Sequence, residues 1–201
     1  MERRKLLVTG GALIAGRALG AFAASREPVI GGPCEGCEWV FDDQPAKLSS
    51  RARIAPVGEP GVPMVIEGVV TARGVPAAGV IVYAYHTDIT GIYPPARNRH
   101  GRLRGWAITD AQGRYRFDTI RPGAYPSRDV PEHVHMHVIE PGRGTYYIDN
   151  LQFTDDPLNT RAQRQTGHRG GNGLATPEKR GDTWFARRDI SLGLNIPQPG
   201  G

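Results

Sequence analysis

The sequence has few of the features that mark membrane, nucleic-acid-binding or thiolate-metal proteins. Beyond its first two dozen residues it has no uninterrupted apolar run of about 18 residues, so we predict no membrane span in the mature protein. The net charge of +5 is modest, and no basic block is interleaved with aromatic residues, which argues against a nucleic-acid partner. Only two of the 201 residues are cysteine, which excludes a four-thiolate zinc site.

Residues 1–24 are typical of an export signal. A charged start that includes Arg3 and Arg4 precedes an apolar stretch rich in Ala and Gly, and residues 21–23 fit a small-x-small cleavage pattern. The arginine pair and the weak hydrophobicity favour the twin-arginine route. We therefore predict an exported protein, periplasmic or extracellular. The alternative is a buried N-terminal helix, which its glycines would weaken.

The two cysteines, Cys34 and Cys37, form a CxxC motif. Such a pair can be a redox couple, half of a zinc site or a local disulfide. A redox pair normally opens a helix in a βαβ unit, and the preceding Gly-Gly-Pro does not fit that context. For an exported protein we predict a small structural disulfide, with a free or intermolecular pair as the alternative.

Glycine and proline are abundant, with 27 and 17 residues, which indicates many turns and few long helices. Prolines interrupt residues 25–63, where we expect an irregular N-terminal arm. Residues 64–195 alternate short β-branched or aromatic segments with turns, typical of an all-β, antiparallel sandwich with long loops. Residues 196–201 are expected to form a loose tail. The predicted strands cover residues 65–71, 80–85, 105–109, 115–117, 133–139, 146–148, 151–153 and 184–192.

His133 and His135 are candidate metal ligands. On a strand, residues i and i+2 share a face, so both imidazoles point the same way. Two neutral imidazoles on one face can bind a transition metal together. His137 continues that face, so two alternatives stay open: three surface histidines without a metal, or a zinc or copper enzyme that uses all three.

Tyr93 and Tyr125 add two oxygen ligands to the candidate site. Each tyrosine lies in a Gly/Pro loop at a strand end, where sites on rigid sandwiches are usually built, although a lone tyrosine is more often a core or rim residue. A phenolate is a hard, anionic donor. Two phenolates and two imidazoles suit Fe(III), which lowers the pKa of a phenol on binding. We therefore predict a ferric iron site.

The order Tyr, Tyr, His-x-His resembles the intradiol ring-cleavage dioxygenases, which include catechol 1,2-dioxygenase and protocatechuate 3,4-dioxygenase. The resemblance covers roughly residues 64–157. It runs through Thr-Asp-Ile-Thr-Gly-Ile-Tyr at 87–93, Arg-Pro-Gly-Ala-Tyr-Pro at 121–126 and Pro-Glu-His-Val-His at 131–135. It implies a sandwich with a transthyretin-like core and an Fe(3+) cofactor. It also implies insertion of both atoms of O2 into a catechol-type substrate, with cleavage between the hydroxyls to a muconate-type product.

The resemblance also implies a role for each ligand. Tyr93 and His135 would be equatorial ligands, and Tyr125 and His133 would be axial ones. Tyr125 would leave the metal when substrate binds and accept one of its protons. His137 falls on a position that is not a ligand in the family.

Two positions depart from the family pattern. Well-studied members carry an arginine three residues before the first histidine and a glutamine after the next strand's turn, where this chain has Val130 and Asn150. Arg128 could reach the space of that arginine, and Asn150 could replace the glutamine with a shorter reach. We therefore predict Tyr125, Arg128 and Asn150 as the catalytic residues. The departures put the substrate class and the rate in question more than the metal.

Other features leave the function and the assembly open. Motifs such as Pro-Gly-x-Tyr also occur in binding and adhesion sandwiches, so the alternative function is a transthyretin-like binding or structural module with a residual metal site. The chain lacks the helical N-terminal domain through which larger members dimerise, and it resembles the smaller, exported members; a homo-oligomer stays open. Four basic residues after Tyr93 could meet an acidic substituent of the substrate or form a solvated loop: Arg99, His100, Arg102 and Arg104.

Overall fold

The structure is a computed structural model, and it describes residues 27–32, 34, 36–160 and 167–197. The predicted export signal, residues 1–24, and the end of the predicted tail, residues 198–201, lie outside the described residues. Within the described ranges, the only helix is the single 3-10 turn Cys37–Trp39. No helix in these ranges has the length and apolar character needed to cross a bilayer. The all-β prediction is confirmed.

Strands in the described residues form two sheets around a shared apolar core. The first sheet has the order β1-β6-β2-β11-β10, with β3 and β12 also paired to β2, and the second has the order β5-β4-β7-β8-β9. The strands are β1 Arg51–Arg53, β2 Pro63–Ala72, β3 Val75–Pro76, β4 Ile81–Tyr85, β5 Arg104–Ile108, β6 Arg114–Ile120, β7 His133–Glu140, β8 Gly144–Phe153, β9 Leu174–Ala175, β10 Glu178–Arg180, β11 Thr183–Arg187 and β12 Ile190–Ser191.

The predicted sandwich is confirmed, and its two sheets are mixed, with antiparallel pairing at their centres. The central pairs β4–β5, β4–β7, β7–β8 and β2–β6 are antiparallel. Four pairs that involve short strands are parallel: β1–β6, β2–β11, β2–β12 and β8–β9. The two strands of each of these pairs are far apart in the sequence, and a connection that is not a hairpin permits either direction of pairing.

The segments predicted at the two ends of the chain also differ from the structure. β1 lies inside the arm that was expected to be irregular, and it adds to the edge of β6, where Arg51 Nε donates to Asp118 at 2.7 Å. The predicted strands at 146–148 and 151–153 are one continuous strand, β8. The predicted strand at 184–192 is two strands, because the buried Arg188 between them turns its guanidinium to backbone carbonyls of neighbouring loops.

Successive side chains of β7 point alternately to the core and to the candidate site. Val134, Met136 and Val138 point into the core between the sheets, where they are fully buried. The intervening residues His133, His135 and His137 therefore point to the other face of the five-stranded sheet, as predicted for residues two apart on a strand. The site is built on this outer face.

The N-terminal arm covers that outer face. Val40, Phe41 and Leu48 pack on a small apolar cluster that includes Tyr83 and Trp106 from β4 and β5. The indole N–H of Trp106 donates to the carbonyl of Val40 at 2.7 Å, which fixes the arm to the sheet. The buried outer face thus has a second, smaller core, which the irregular sequence of the arm did not indicate.

Candidate metal centre

The loops that carry the two tyrosines are fastened to each other. Tyr93 follows β4 and Tyr125 follows β6. Asp88 starts the first loop: its carboxylate accepts the N–H groups of Thr90 and Ile92, and its carbonyl accepts the N–H of Gly123 in the second loop at 2.8 Å. Two short Gly-containing turns joined by backbone hydrogen bonds place both phenols at the same end of the sheet.

Gly91 is required at the contact between these loops. Its φ is 80°, in the left-handed region that glycine adopts without strain. A Cβ at this position would collide with the backbone carbonyl of Ala124, the residue before Tyr125. The loop of Tyr93 can therefore approach the loop of Tyr125 this closely only because residue 91 has no side chain.

The two histidines lie at the start of strand β7. The pairing of β7 with β8 is irregular here, with a shift of register between Val134 and Met136. The ring Nδ1 of His133 lies 2.7 Å from the carbonyl oxygen of Pro131. Because a carbonyl can only accept, Nδ1 carries the proton and Nε2 is left with a free lone pair. This hydrogen bond aims the Nε2 of His133 at the other candidate ligands.

The structure brings the four predicted ligands together. The phenolic oxygens of Tyr93 and Tyr125 lie 2.6 Å apart. The Tyr125 oxygen lies 3.4 Å from Nε2 of His135, and that nitrogen lies 3.1 Å from Nε2 of His133. Two oxygens and two nitrogens from three separate segments thus converge on one point. Their role as ligands stays a prediction.

Burial keeps the imidazoles in the form that binds metals. Desolvation lowers the pKa of His133 below its usual range, and desolvation together with the neighbouring histidines lowers that of His135 further. Neutral imidazole nitrogens and phenolic oxygens are the donor set expected for a hard trivalent ion, with nitrogens completing the coordination. The residues present therefore fit a ferric ion.

A hydrogen-bonded network supports the segment that leads into His133. The carboxylate of Asp156 accepts the backbone N–H groups of Glu132 at 2.5 Å and of Leu158 at 2.9 Å. Arg121 bridges Glu132 and Asp155, donating to them at 2.6 and 2.7 Å. Fixed outer partners of this kind orient metal ligands, and the two carboxylates that follow β8, Asp155 and Asp156, supply part of this support.

A cavity of about 600 Å³, a volume typical of small-molecule sites, is lined by three of the four donor residues, Tyr93, Tyr125 and His135. Both predicted assisting residues, Arg128 and Asn150, line it, and Arg128 lies over the ring of Tyr125 at 5.8 Å. Val130 does not line the cavity. Arg99 and His100 also line it, but Arg102 and Arg104 instead pair with Glu59 and Asp43.

Sequence reasoning missed the aromatic residues of this cavity. Tyr85 stacks on His135, with ring centroids 4.5 Å apart, and on His100 at 3.8 Å. Trp39 from the arm and Tyr147 from β8 complete the wall. Tyr85 lies opposite His135 in the β4–β7 register, so a correct strand pairing would have found it. Trp39 had no comparable signal.

Comparisons with known proteins agree with this geometry. A dioxygenase family model matches residues 40–166. The protocatechuate 3,4-dioxygenase beta chain of Burkholderia cepacia is 32% identical over 115 residues, which is 50% of this chain and 49% of the relative. Catechol 1,2-dioxygenase 1 of Acinetobacter lwoffii is 37% identical over 81 residues, covering 38% of this chain and 26% of the relative. The matches thus span about half or less of these relatives.

Solved structures share the fold. The dioxygenase domain of a dioxygenase carbohydrate-binding protein fusion from Streptomyces sp. SirexAA-E matches with a TM-score of 0.58 and 26% identity, over 84% of this chain and 98% of that domain. An intradiol ring-cleavage dioxygenase from Tetranychus urticae matches with a TM-score of 0.55 and 18% identity, over 87% and 96% of the two chains. The fold is therefore that of the dioxygenase sandwiches, and the chain belongs to the intradiol ring-cleavage dioxygenase family.

Proposed function

We propose that this chain is an Fe(III)-dependent intradiol dioxygenase that opens a catechol-type ring between its hydroxyls. The observation that carries the proposal is the convergence of Tyr93, Tyr125, His133 and His135 on one point at the wall of a cavity large enough for an aromatic diol. A binding module with the same sandwich has no need for four donors of this kind. The donor set favours iron over the zinc or copper alternative, since two phenolates are hard ligands.

When bound, ferric iron would hold both oxygens of a catechol and make the ring reactive towards O2. The residues of the chain then have separate tasks. His133 and His135 hold the metal through nitrogens that burial keeps neutral. Tyr125, which is only partly buried and lies between the other phenol and His135, would accept a substrate proton at its phenolic oxygen.

Two guanidinium groups indicate the class of substrate. Arg99 and Arg128 both line the cavity, and in the described part of the chain neither forms an ion pair with a carboxylate. Each lies instead over an aromatic ring, at 5.6 Å for Arg99 on Trp39 and 5.8 Å for Arg128 on Tyr125. Guanidinium groups recognise carboxylates in a two-pronged geometry. We infer that a catechol with an anionic substituent binds better than catechol itself.

The first test measures iron and oxygen chemistry. Purified protein should contain one iron per chain, show a visible tyrosinate-to-iron charge-transfer band and take up O2 with catechols. His133→Ala and His135→Ala should lose iron and activity. His168→Asn is the matched control, because His168 is exposed and its positive φ is one that asparagine tolerates. Colourless, iron-free protein that stays inactive after iron loading would overturn the proposal in favour of the binding module.

The second test compares substrates. KM for 3,4-dihydroxybenzoate should be at least about tenfold below KM for its methyl ester, and Arg128→Gln should remove most of that difference, as expected for a hydrogen bond to a charged group. Arg97→Gln is the matched control, since Arg97 is exposed and does not line the cavity. Equal KM values for acid and ester in the wild-type enzyme would refute the anionic-substrate inference and leave the dioxygenase proposal intact.

We also propose export, which rests on the predicted signal at residues 1–24 and is supported by the disulfide between Cys34 and Cys37, a bond typical of oxidising compartments. Expression of the full chain in a bacterial host, followed by fractionation, should recover a shortened mature protein outside the cytoplasm. Replacing Arg3 and Arg4 by lysine should retain it inside. Export of that variant through the general secretory route would show that the twin-arginine assignment is wrong.

A further inference from the structure

His137 is a buried histidine without a partner. Only 1% of its surface is exposed, and neither ring nitrogen has a hydrogen-bond partner in the described part of the chain. The rings around it, including Tyr83 and Tyr147 with centroids at 5.8 and 6.3 Å, offer packing but leave both nitrogens unsatisfied. Buried polar groups are rarely left in this state, so the nitrogens point to a ligand.

The candidate iron site does not supply that ligand. Tyr93, Tyr125, His133 and His135 complete a four-donor set without His137. Packing in the fold also does not explain a histidine at position 137, because a phenylalanine or leucine would fill the same place without two unsatisfied nitrogens.

The CxxC motif lies directly against His137. One ring nitrogen of His137 and the two sulfurs of Cys34 and Cys37 all lie within 4.8 Å of one another. The motif is seated closely on the histidines beneath it: a Cβ on Gly36 would collide with Nε2 of His100, another buried nitrogen without a hydrogen-bond partner among the described residues. In the structure the sulfurs are joined in a disulfide, as the sequence predicted.

We propose that reduction of this disulfide creates a second metal site, in which Cys34, Cys37 and His137 bind a thiophilic closed-shell cation, Zn²⁺ or Cu⁺. A dithiol or phosphine reductant supplies the two electrons that break the S–S bond, and two protons from water give two thiols. Metal binding then displaces both thiol protons and uses the lone pair of one imidazole nitrogen. Two thiolates and an imidazole are preferred ligands of both ions.

The geometry allows this with small movements. Tetrahedral zinc takes sulfur at about 2.3 Å and nitrogen at about 2.0 Å, which places ligand atoms roughly 3.5 Å apart. The three atoms already lie within 4.8 Å, so rotation of the two cysteine side chains brings them to this spacing. Zinc would have a fourth position open to water, while Cu⁺ would be satisfied by the three protein ligands.

The proposed site borders the catalytic cavity. The short helix Cys37–Trp39 begins at one of its ligands and carries Trp39 into the cavity wall, and Gly36 and His137 line the same cavity. Binding of a metal would therefore fix or shift this wall, so that thiol status and metal supply would influence the enzyme without touching the four candidate iron ligands.

The test uses Co²⁺ as a spectroscopic probe for Zn²⁺. Iron-loaded full chain is reduced with a phosphine under argon and titrated with Co²⁺, while thiolate-to-cobalt charge transfer is followed in the near ultraviolet. The candidate iron centre has no sulfur ligand, so this band reports on the new site alone. We expect one thiolate-bound Co²⁺ per reduced chain, displaced by one Zn²⁺, and no band before reduction.

Variants assign the ligands. Cys34→Ser and Cys37→Ser should each abolish the band, and His137→Phe, which preserves the packing volume, should weaken Co²⁺ binding at least tenfold while leaving a folded protein. His168→Asn is the matched control and should bind as the wild type does. Equal affinity in His137→Phe and wild type, or no thiolate band in reduced wild type, would overturn the proposal. Neither result bears on the iron-dependent dioxygenase activity, which is measured separately by O2 uptake.

Discussion

Substitution of Gly91 by alanine tests whether the fit between the two tyrosine loops forms the candidate metal centre. Residue 91 has a φ of 80°, and an added Cβ meets the carbonyl of Ala124. The left-handed conformation costs an alanine about 1–2 kcal/mol. Relief of the collision requires a backbone shift, which costs about 1–3 kcal/mol more. We expect the free energy of unfolding to fall by roughly 2–5 kcal/mol.

The chain offers a matched control for the strain alone. Gly74, in the turn between β2 and β3, has a φ of 81°, and a Cβ there would meet nothing within 4 Å. Gly74→Ala should therefore lose only about 1–2 kcal/mol. The difference between the two variants isolates the contact between the loops.

The Gly91→Ala substitution should also weaken iron binding at the candidate metal centre. Because Gly91 precedes Tyr93 by two residues and Ala124 directly precedes Tyr125, separation of the loops moves the two phenolic oxygens apart. Gly91→Ala should bind iron with at least about tenfold lower affinity, a loss typical for disturbed outer-shell support, whereas Gly74→Ala should bind as the wild type does. Urea unfolding and iron titration measure both effects. Equal losses of stability and full iron binding in both variants would refute the reasoning.

Further predictions concern the candidate ligand Tyr125, the hydrogen-bond acceptor Asp156 and the buried histidine His86. Tyr125→Phe should weaken the charge-transfer band and abolish activity without lowering stability, and an unchanged spectrum would show that Tyr125 is not a ligand. Asp156→Ala leaves two backbone N–H groups without their acceptor, at about 1–3 kcal/mol each, and should weaken iron binding, measured by titration. Burial lowers the pKa of His86 to about 4 from 6.5. The unfolded chain therefore binds a proton at this histidine that the folded chain does not, so His86 alone should lower the free energy of unfolding by about 3 kcal/mol as the pH drops from 6.5 to 4. Because other buried histidines contribute to the same slope, His86→Gln should make the slope shallower by this amount, measured by urea unfolding at both pH values.

Much of the candidate site could be predicted from local patterns in the sequence. The alternation of residues 133–139 determined that His133 and His135 share a face, since a strand repeats every two residues. The Gly/Pro contexts of Tyr93 and Tyr125 placed both phenols in turns at strand ends. The all-β class also followed from local chemistry, namely many turn residues between short β-branched segments. Such features depend only on near neighbours in the chain, and they can therefore be predicted from the sequence alone.

Long-range pairing was decided by the tertiary structure. The parallel additions of β1 to β6 and of β11 to β2 depend on edges and registers formed by distant segments, and no local period specifies them. Tyr85 became part of the site because it lies opposite His135 in the sheet. In the same way the sequence by itself determined a CxxC pair and a third histidine on β7, while only the folded arm placed Cys34 and Cys37 against His137, because a contact across 100 residues requires the whole sheet beneath it.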